Sequence, residues 1–279
     1  MIYKQGTQLA GLSELEDRIY VACTASGDIK VLQDSDGMLT PFIATEGVPN
    51  SLAFDGTGAL FVTDMANKCI KSKEAGEQAL QILVGEYEGR QFSGPNGLCF
   101  DKDGTLFFTD SGPMGDTSLS RPEGSVFCVK LEDQLLKPLA LECLAYPSGI
   151  AVSADGCLIY VAETMANRIL RFVRRPTGVY YSSVFYTFNG SFGPSALACD
   201  AESRLFVARF EFSGISAGGT TLGGLISVIG PDGKLLCEIE APSPEVTGLM
   251  IKASEESLVV TEQSTSSIYS VHLSELDLP

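Results

Sequence analysis

The sequence predicts an all-β protein, a six-bladed β-propeller with four-stranded antiparallel blades. Three observations carry this expectation. One phrase recurs six times along the 279 residues, each copy holds two short apolar runs joined by a turn, and a third apolar run follows every copy. Repetition at this period, with strands as the repeated unit, is the signature of propeller blades.

Four copies are plain: VPNSLAFDGTGALFVTD from Val48, GPNGLCFDKDGTLFFTD from Gly94, YPSGIAVSADGCLIYVAE from Tyr146 and GPSALACDAESRLFVAR from Gly193. Two degenerate copies, QLAGLSELEDRIYVAC from Gln8 and EVTGLMIKASEESLVVTE from Glu245, extend the series to both ends, with starts about 40 to 52 residues apart. Runs of about five residues rich in Val, Ile, Leu and Phe, set around Asp-Gly, read as antiparallel strands. The third strands are IKVLQ, NKCIKS, GSVFCVK, NRILRFV, GLISVIG and SIYSVHL, and most copies add a fourth. The last copy stops after its third strand. Residues 1–5 are therefore expected to supply the outer strand of the final blade and close the ring. No linker interrupts the series, so residues 1–279 are expected to form a single domain.

Strand order places the candidate site. The first strand of a blade lines the channel and the hairpin returns the second strand to the same rim, so both ends of the phrase face one mouth. The inner strands open on Ala10, Asn50, Asn96, Ser148, Ser195 and Thr247, and the second strands end on Cys23, Asp64, Asp110, Glu163, Arg209 and Glu262. Asp110, Glu163 and Glu262 are the candidate general bases, because a carboxylate shielded from water can be tuned toward neutrality. Asn50, Asn96, Ser148, Ser195, Arg209 and Thr247 are the candidate substrate-binding residues, since inward-pointing polar groups in a narrow channel require partners. A plainer role stands beside the catalytic one, because an acid at a strand end caps the following turn. Two long connections, SGPMGDTSLSRPEG from Ser111 and FEFSGISAGGTTLGG from Phe210, are expected to project from this rim. Phe210 and Phe212 would either wall a ligand or pin the loop.

Composition excludes several classes. A net charge of −16 opposes a phosphate-backbone partner, which rules against nucleic acid. The charge reads as a solvated, self-repelling surface, with attraction of a cation or amine as the sharper alternative. Hydrophobic residues make up 44% of the chain with no long apolar run, which argues against a membrane partner. The opening MIYKQGTQLAGL reads as strand and turn rather than a secretory leader. The eight cysteines form no CxxC pair, which argues against zinc and for reduced, buried thiols in a cytoplasmic protein. The single histidine, His272, sits on a third strand with no nucleophile-elbow motif to serve, and the glycines near Gly218 and Gly223 lack the Lys of a phosphate loop. The expected partner is a small-molecule ligand, bound by a monomer.

The repeats resemble those of the SMP-30/gluconolactonase family over essentially the whole chain, and GIAVSADGCLIYVAETMANRILRF resembles its strictosidine synthase-like branch. NHL-repeat propellers share part of the phrase. The resemblance implies a lactonase or esterase-type hydrolase, with a divalent cation such as calcium in the channel. That cation is held in the family by a Glu, an Asn and an Asp opening the first, fourth and fifth blades, where this chain has Ala10, Ser148 and Ser195. Ala offers no ligand and neutral hydroxyls are poor ones, so the metal site is expected to be absent or rebuilt. The substrate-contacting Asn of the third blade is matched by Asn96. The catalytic Glu of strictosidine synthase falls on Thr247, and strand alternation is expected to turn nearby Glu245 elsewhere. These departures keep a non-catalytic small-molecule or peptide-binding propeller open as the alternative.

Overall fold

The computed structural model describes residues 3–4, 8–33, 37–211, 223–276 and 278. Six four-stranded antiparallel sheets follow one another around a central channel, each running from an inner to an outer strand in chain order. The inner strands are Leu9–Leu15, Pro49–Phe54, Pro95–Phe100, Pro147–Val152, Phe192–Cys199 and Val246–Lys252, which number the blades 1 to 6. The sixth blade is completed from the other end of the chain, where Tyr3–Lys4 pairs antiparallel with Ser267–His272 in the register Tyr3↔Ile268 and Lys4↔Ser267. The expected closure of the ring by the first residues is thus observed. A small hairpin, Glu86–Tyr87 with Arg90–Gln91, stands between blades 2 and 3 without a counterpart in the repeat.

Burial explains the run pattern. Second strands such as Leu60–Asp64 and Thr105–Asp110 are buried at every position, because neighbouring blades cover both faces of each sheet. Outer strands such as Tyr180–Thr187 are mostly exposed and carry the polar residues. The apolar core is consequently divided into wedges between adjacent blades. Phe61, Leu98, Phe108 and Phe127 fill the one between blades 2 and 3, and Phe107, Ile159, Val161 and Phe172 the one between blades 3 and 4.

The Asp-Gly element of the phrase forms the turn far from the polar rim. In blade 3, Asp101 Oδ1 accepts from the backbone N–H groups of Asp103 and Thr105 at 2.9 and 2.8 Å, and Gly104 takes φ +76°, a conformation that a Cβ disfavours. The small residue after each channel position has a different cause. A Cβ on Gly97 would stand 2.5 Å from the Ser148 carbonyl oxygen of the next blade, so the inner strands pack backbone against backbone.

Candidate functional site

Each inner strand carries a register shift at the polar end, for example between Pro95 and Leu98 or between Pro147 and Ile150. A bulge re-aims the side chains at its position. Where these shifts converge, the channel widens into a cavity of about 400 Å³. All six predicted channel residues, Ala10, Asn50, Asn96, Ser148, Ser195 and Thr247, line it. Met114 and Phe210, from the two long connections, add apolar wall, whereas Phe212 lies outside the described residues.

Hydrogen bonds organise this wall. Asn50 Nδ2 donates to Asn96 Oδ1 at 2.6 Å, and Asn96 Nδ2 donates to Ser111 Oγ at 3.0 Å with the Tyr146 hydroxyl at 3.5 Å. The other hydroxyls clasp the next blade. Thr63 donates to Asn96 O at 2.7 Å, Thr109 to Ser148 O at 2.6 Å, Thr164 to Pro194 O at 2.7 Å and Ser195 to Val246 O at 2.8 Å. Thr247 donates to Leu9 O at 2.8 Å and Thr261 to Ala10 O at 2.5 Å, so the junction of blades 6 and 1 is clasped twice. Blade 1 has Ala10 and Ala22 at these two positions, and no side-chain hydrogen bond among the described residues joins it to blade 2 at the channel wall.

The second ring follows the plainer of its two expected roles: Asp64 caps the following turn through Asn67 N at 3.0 Å, and Glu262 does so through Ser264 N and Thr265 N at 3.1 and 2.7 Å. Asp64, Asp110, Glu163 and Glu262 are all buried, yet none lines the cavity. Each carboxylate turns back to the backbone that leads into its own blade: Asp64 to Val48 N at 3.1 Å, Asp110 to Ser93 N and Gly94 N at 2.9 and 2.7 Å, Glu163 to Ala145 N at 2.8 Å, and Glu262 to Glu245 N at 3.2 Å. Glu163 also pairs with Arg168 at 2.6 Å and Asp64 with Lys71 at 2.8 Å. Burial pushes the Asp64 carboxyl up, but hydrogen bonds from Lys71, Asn67 and Val48 outweigh it and hold the group below its usual range. Burial dominates at Asp110 and raises it. Asp110 opens instead onto a lateral hollow with Glu123 and Glu142. Arg209, expected at the mouth, is also off the cavity, donating to Asn189 O at 2.9 Å and stacking on Phe188.

Two lining residues, Tyr146 and Glu245, correct the sequence reading. They occupy equivalent places two residues before Ser148 and Thr247. Glu245 lies just ahead of the strand Val246–Lys252, whose register shifts between Val246 and Gly248, so strand alternation does not govern its side chain, and it lines the cavity. Burial, reinforced by the nearby Glu262 charge, raises the Glu245 carboxyl, and its side chain has no hydrogen-bond partner among the described residues. Tyr146 is buried, its phenol is raised by burial, and its backbone sits at φ +58°, a strained conformation for a bulky residue.

The family cation does not fit these residues. Ala10 has no donor, Ser195 Oγ points to Val246 O, and Ser148 Oγ lies 2.6 Å from Thr164 Oγ1 and 3.4 Å from Pro194 O. Among the described residues no group of three or more His, Cys, Asp or Glu side chains is placed to hold a metal ion.

The sequence profile described as "SMP-30/Gluconolactonase/LRE-like region" matches residues 79–264. The chain belongs to this family. Among curated members, the lactonase drp35 of Staphylococcus aureus strain MW2 is 24% identical over 220 residues, covering 75% of this chain and 65% of that protein. The drp35 lactonase of Staphylococcus haemolyticus is 27% identical over 95 residues, 33% of this chain and 29% of that one. This family member thus spans about 65% of the length of the first of these relatives. Among solved structures, a gluconolactonase from Xanthomonas campestris superposes with a TM-score of 0.80 at 22% identity, covering 100% of this chain and 88% of that one. The calcium-binding protein regucalcin from Agrobacterium tumefaciens C58 gives 0.78 at 17% identity, with 97% and 91% covered. At such identities these two likenesses support the propeller alone. No helix among the described residues is long and apolar enough to cross a membrane.

Proposed function

We propose that this chain is a small-molecule hydrolase of the lactonase or esterase type, acting at the polar end of its channel without the family cation. The observation that carries the reading is Glu245, a carboxyl raised by burial, lining the cavity on the blade opposite Asn96. A carboxylate shifted toward neutrality is suited to act as general base. In this reading Glu245 takes a proton from water as the oxygen attacks the ester carbonyl, and returns it to the alkoxide oxygen as the acyl C–O bond breaks. Asn50 has one N–H committed to Asn96, and its second is available to the developing oxyanion. Glu262, expected from the sequence as a base, instead holds the Glu245 backbone and supplies the charge that helps to raise its carboxyl. Asp110 and Glu163 brace the turns that position Asn96 and Ser148. The ligand is a small neutral ester, since the lining among the described residues carries a single carboxylate and no cationic side chain.

The test is hydrolysis of a panel of lactones and aryl esters in the presence of chelator. Turnover is expected to persist, Glu245→Gln to lower kcat by about 10²-fold or more with KM little changed, and the acid limb of the pH profile to lie above the usual carboxylate range. Unchanged kcat in the Glu245→Gln protein would remove the proposal. A second reading, a non-catalytic binding propeller, is favoured by Ala10, Ser148 and Ser195 at the family's ligand positions. It predicts saturable binding of the same esters with no turnover.

A further inference from the structure

A hollow of about 470 Å³ lies between the outer parts of blades 3 and 4, apart from the channel and within the size range of small-molecule sites. Its cationic lining residues are Lys130, Lys137 and Arg174, and no acidic side chain among the described residues lines it. Cys128 pairs with Lys137 and Lys130 with Leu135 across adjacent strands, so period-two alternation sets both lysines on the same face of the blade-3 sheet as diagonal neighbours. Arg174 is spent on Asp101 and Asp103, at 3.4 and 3.0 Å. The two lysines have no ion pair among the described residues, although the chain carries 35 acids against 19 Lys and Arg. Two like charges aimed at one hollow repel each other unless an anion lies between them. The rest of the wall is mostly apolar, with Leu139 and Tyr180 along it and Val179 half exposed at the rim, while Thr105 and Thr177 add hydroxyls.

We propose that this hollow binds an amphipathic organic carboxylate, its head between Lys130 and Lys137 and its hydrocarbon body along Leu139, Val179 and Tyr180. The site is independent of the channel reaction. If the lysine stems merely cover apolar surface with their heads in water, the hollow would have no preference for the sign of a ligand's charge.

Calorimetric titration of the intact protein with decanoate, acetate and decyltrimethylammonium, below micellar concentrations, separates these cases. Decanoate is expected to bind saturably, and acetate and the ammonium about tenfold more weakly or not at all. The Lys130→Gln/Lys137→Gln protein should lose about five- to tenfold in decanoate affinity, the scale of two partly exposed charge contacts. Lys137→Glu should move the preference toward the ammonium. Both lysines are at the surface, and thermal melts confirm that the variants fold. Equal decanoate binding by the native and double-variant proteins would overturn the proposal, as would equal binding of the two charge signs or no saturable decanoate binding.

Discussion

Replacing Gly97 by Ala tests the close packing that shapes the channel. The added Cβ would lie 2.5 Å from the Ser148 carbonyl oxygen, with Gly149 Cα and Ile150 N at 3.3 Å, all of them backbone atoms with no rotamer to swing away. Restoring ordinary contact near 3.4 Å requires the inner strands of blades 3 and 4 to part by about 0.9 Å. Overpacking of this kind costs about 1–3 kcal/mol. The same movement strains the 2.6 Å bond from Thr109 to Ser148 O, worth about 1 kcal/mol more. An unfolding entropy of about 2.1 cal/mol/K per residue gives roughly 0.6 kcal/mol/K for the chain, so a loss of about 2–4 kcal/mol lowers Tm by about 3–7 °C. Circular dichroism melts at one scan rate measure it, with Gly56→Ala as the control, since nothing lies within 4 Å of a Cβ there. A Gly97→Ala protein melting within about 1 °C of the native one would refute the packing argument.

Two further expectations follow from side chains already described. Calcium in large excess, or chelator, should leave Tm unchanged within about 1 °C, because the residues at the family's metal position do not fit a cation; a site filled at 100 times its Kd would add about 2.7 kcal/mol, or roughly 4–5 °C. Lys71→Met strands the buried Asp64 carboxylate without its cation and should cost about 3–5 kcal/mol in urea unfolding near neutral pH. The folded Asp64 carboxyl is held below its unfolded value, so its contribution is present above the unfolded range and is lost as pH falls through the folded one. The difference between native and variant should therefore shrink on acidification, and a pH-independent difference would refute the assignment.

The ring and its channel residues were legible in the sequence because a propeller repeats its geometry. The phrase that placed Asn50 in blade 2 placed Asn96, Ser148 and Ser195 by the same step. The acids were not legible in the same way. Asp64, Asp110, Glu163 and Glu262 end their strands at the rim as expected, but a carboxylate at that point has backbone N–H groups of its own blade within reach, and bonding to them turns it off the cavity. The bulges were invisible because a register shift leaves no residue signature beyond a small side chain. Glu245 was not legible from alternation, because it lies just ahead of its strand and of the register shift, as does Tyr146 at the equivalent place in blade 4.

The clasps around the channel make the ring mechanically uneven. Propellers close where the two ends of the chain meet, and that junction would ordinarily be the weakest. Here it carries two hydroxyl-to-carbonyl bonds, from Thr247 and Thr261, whereas the alanines of blade 1 leave the joint with blade 2 without one among the described residues. The ring of blades therefore behaves like a hoop riveted at its seam and plain one stave further on. Breathing that admits solvent or a bulky ligand to the channel would begin between blades 1 and 2, beside Asn50.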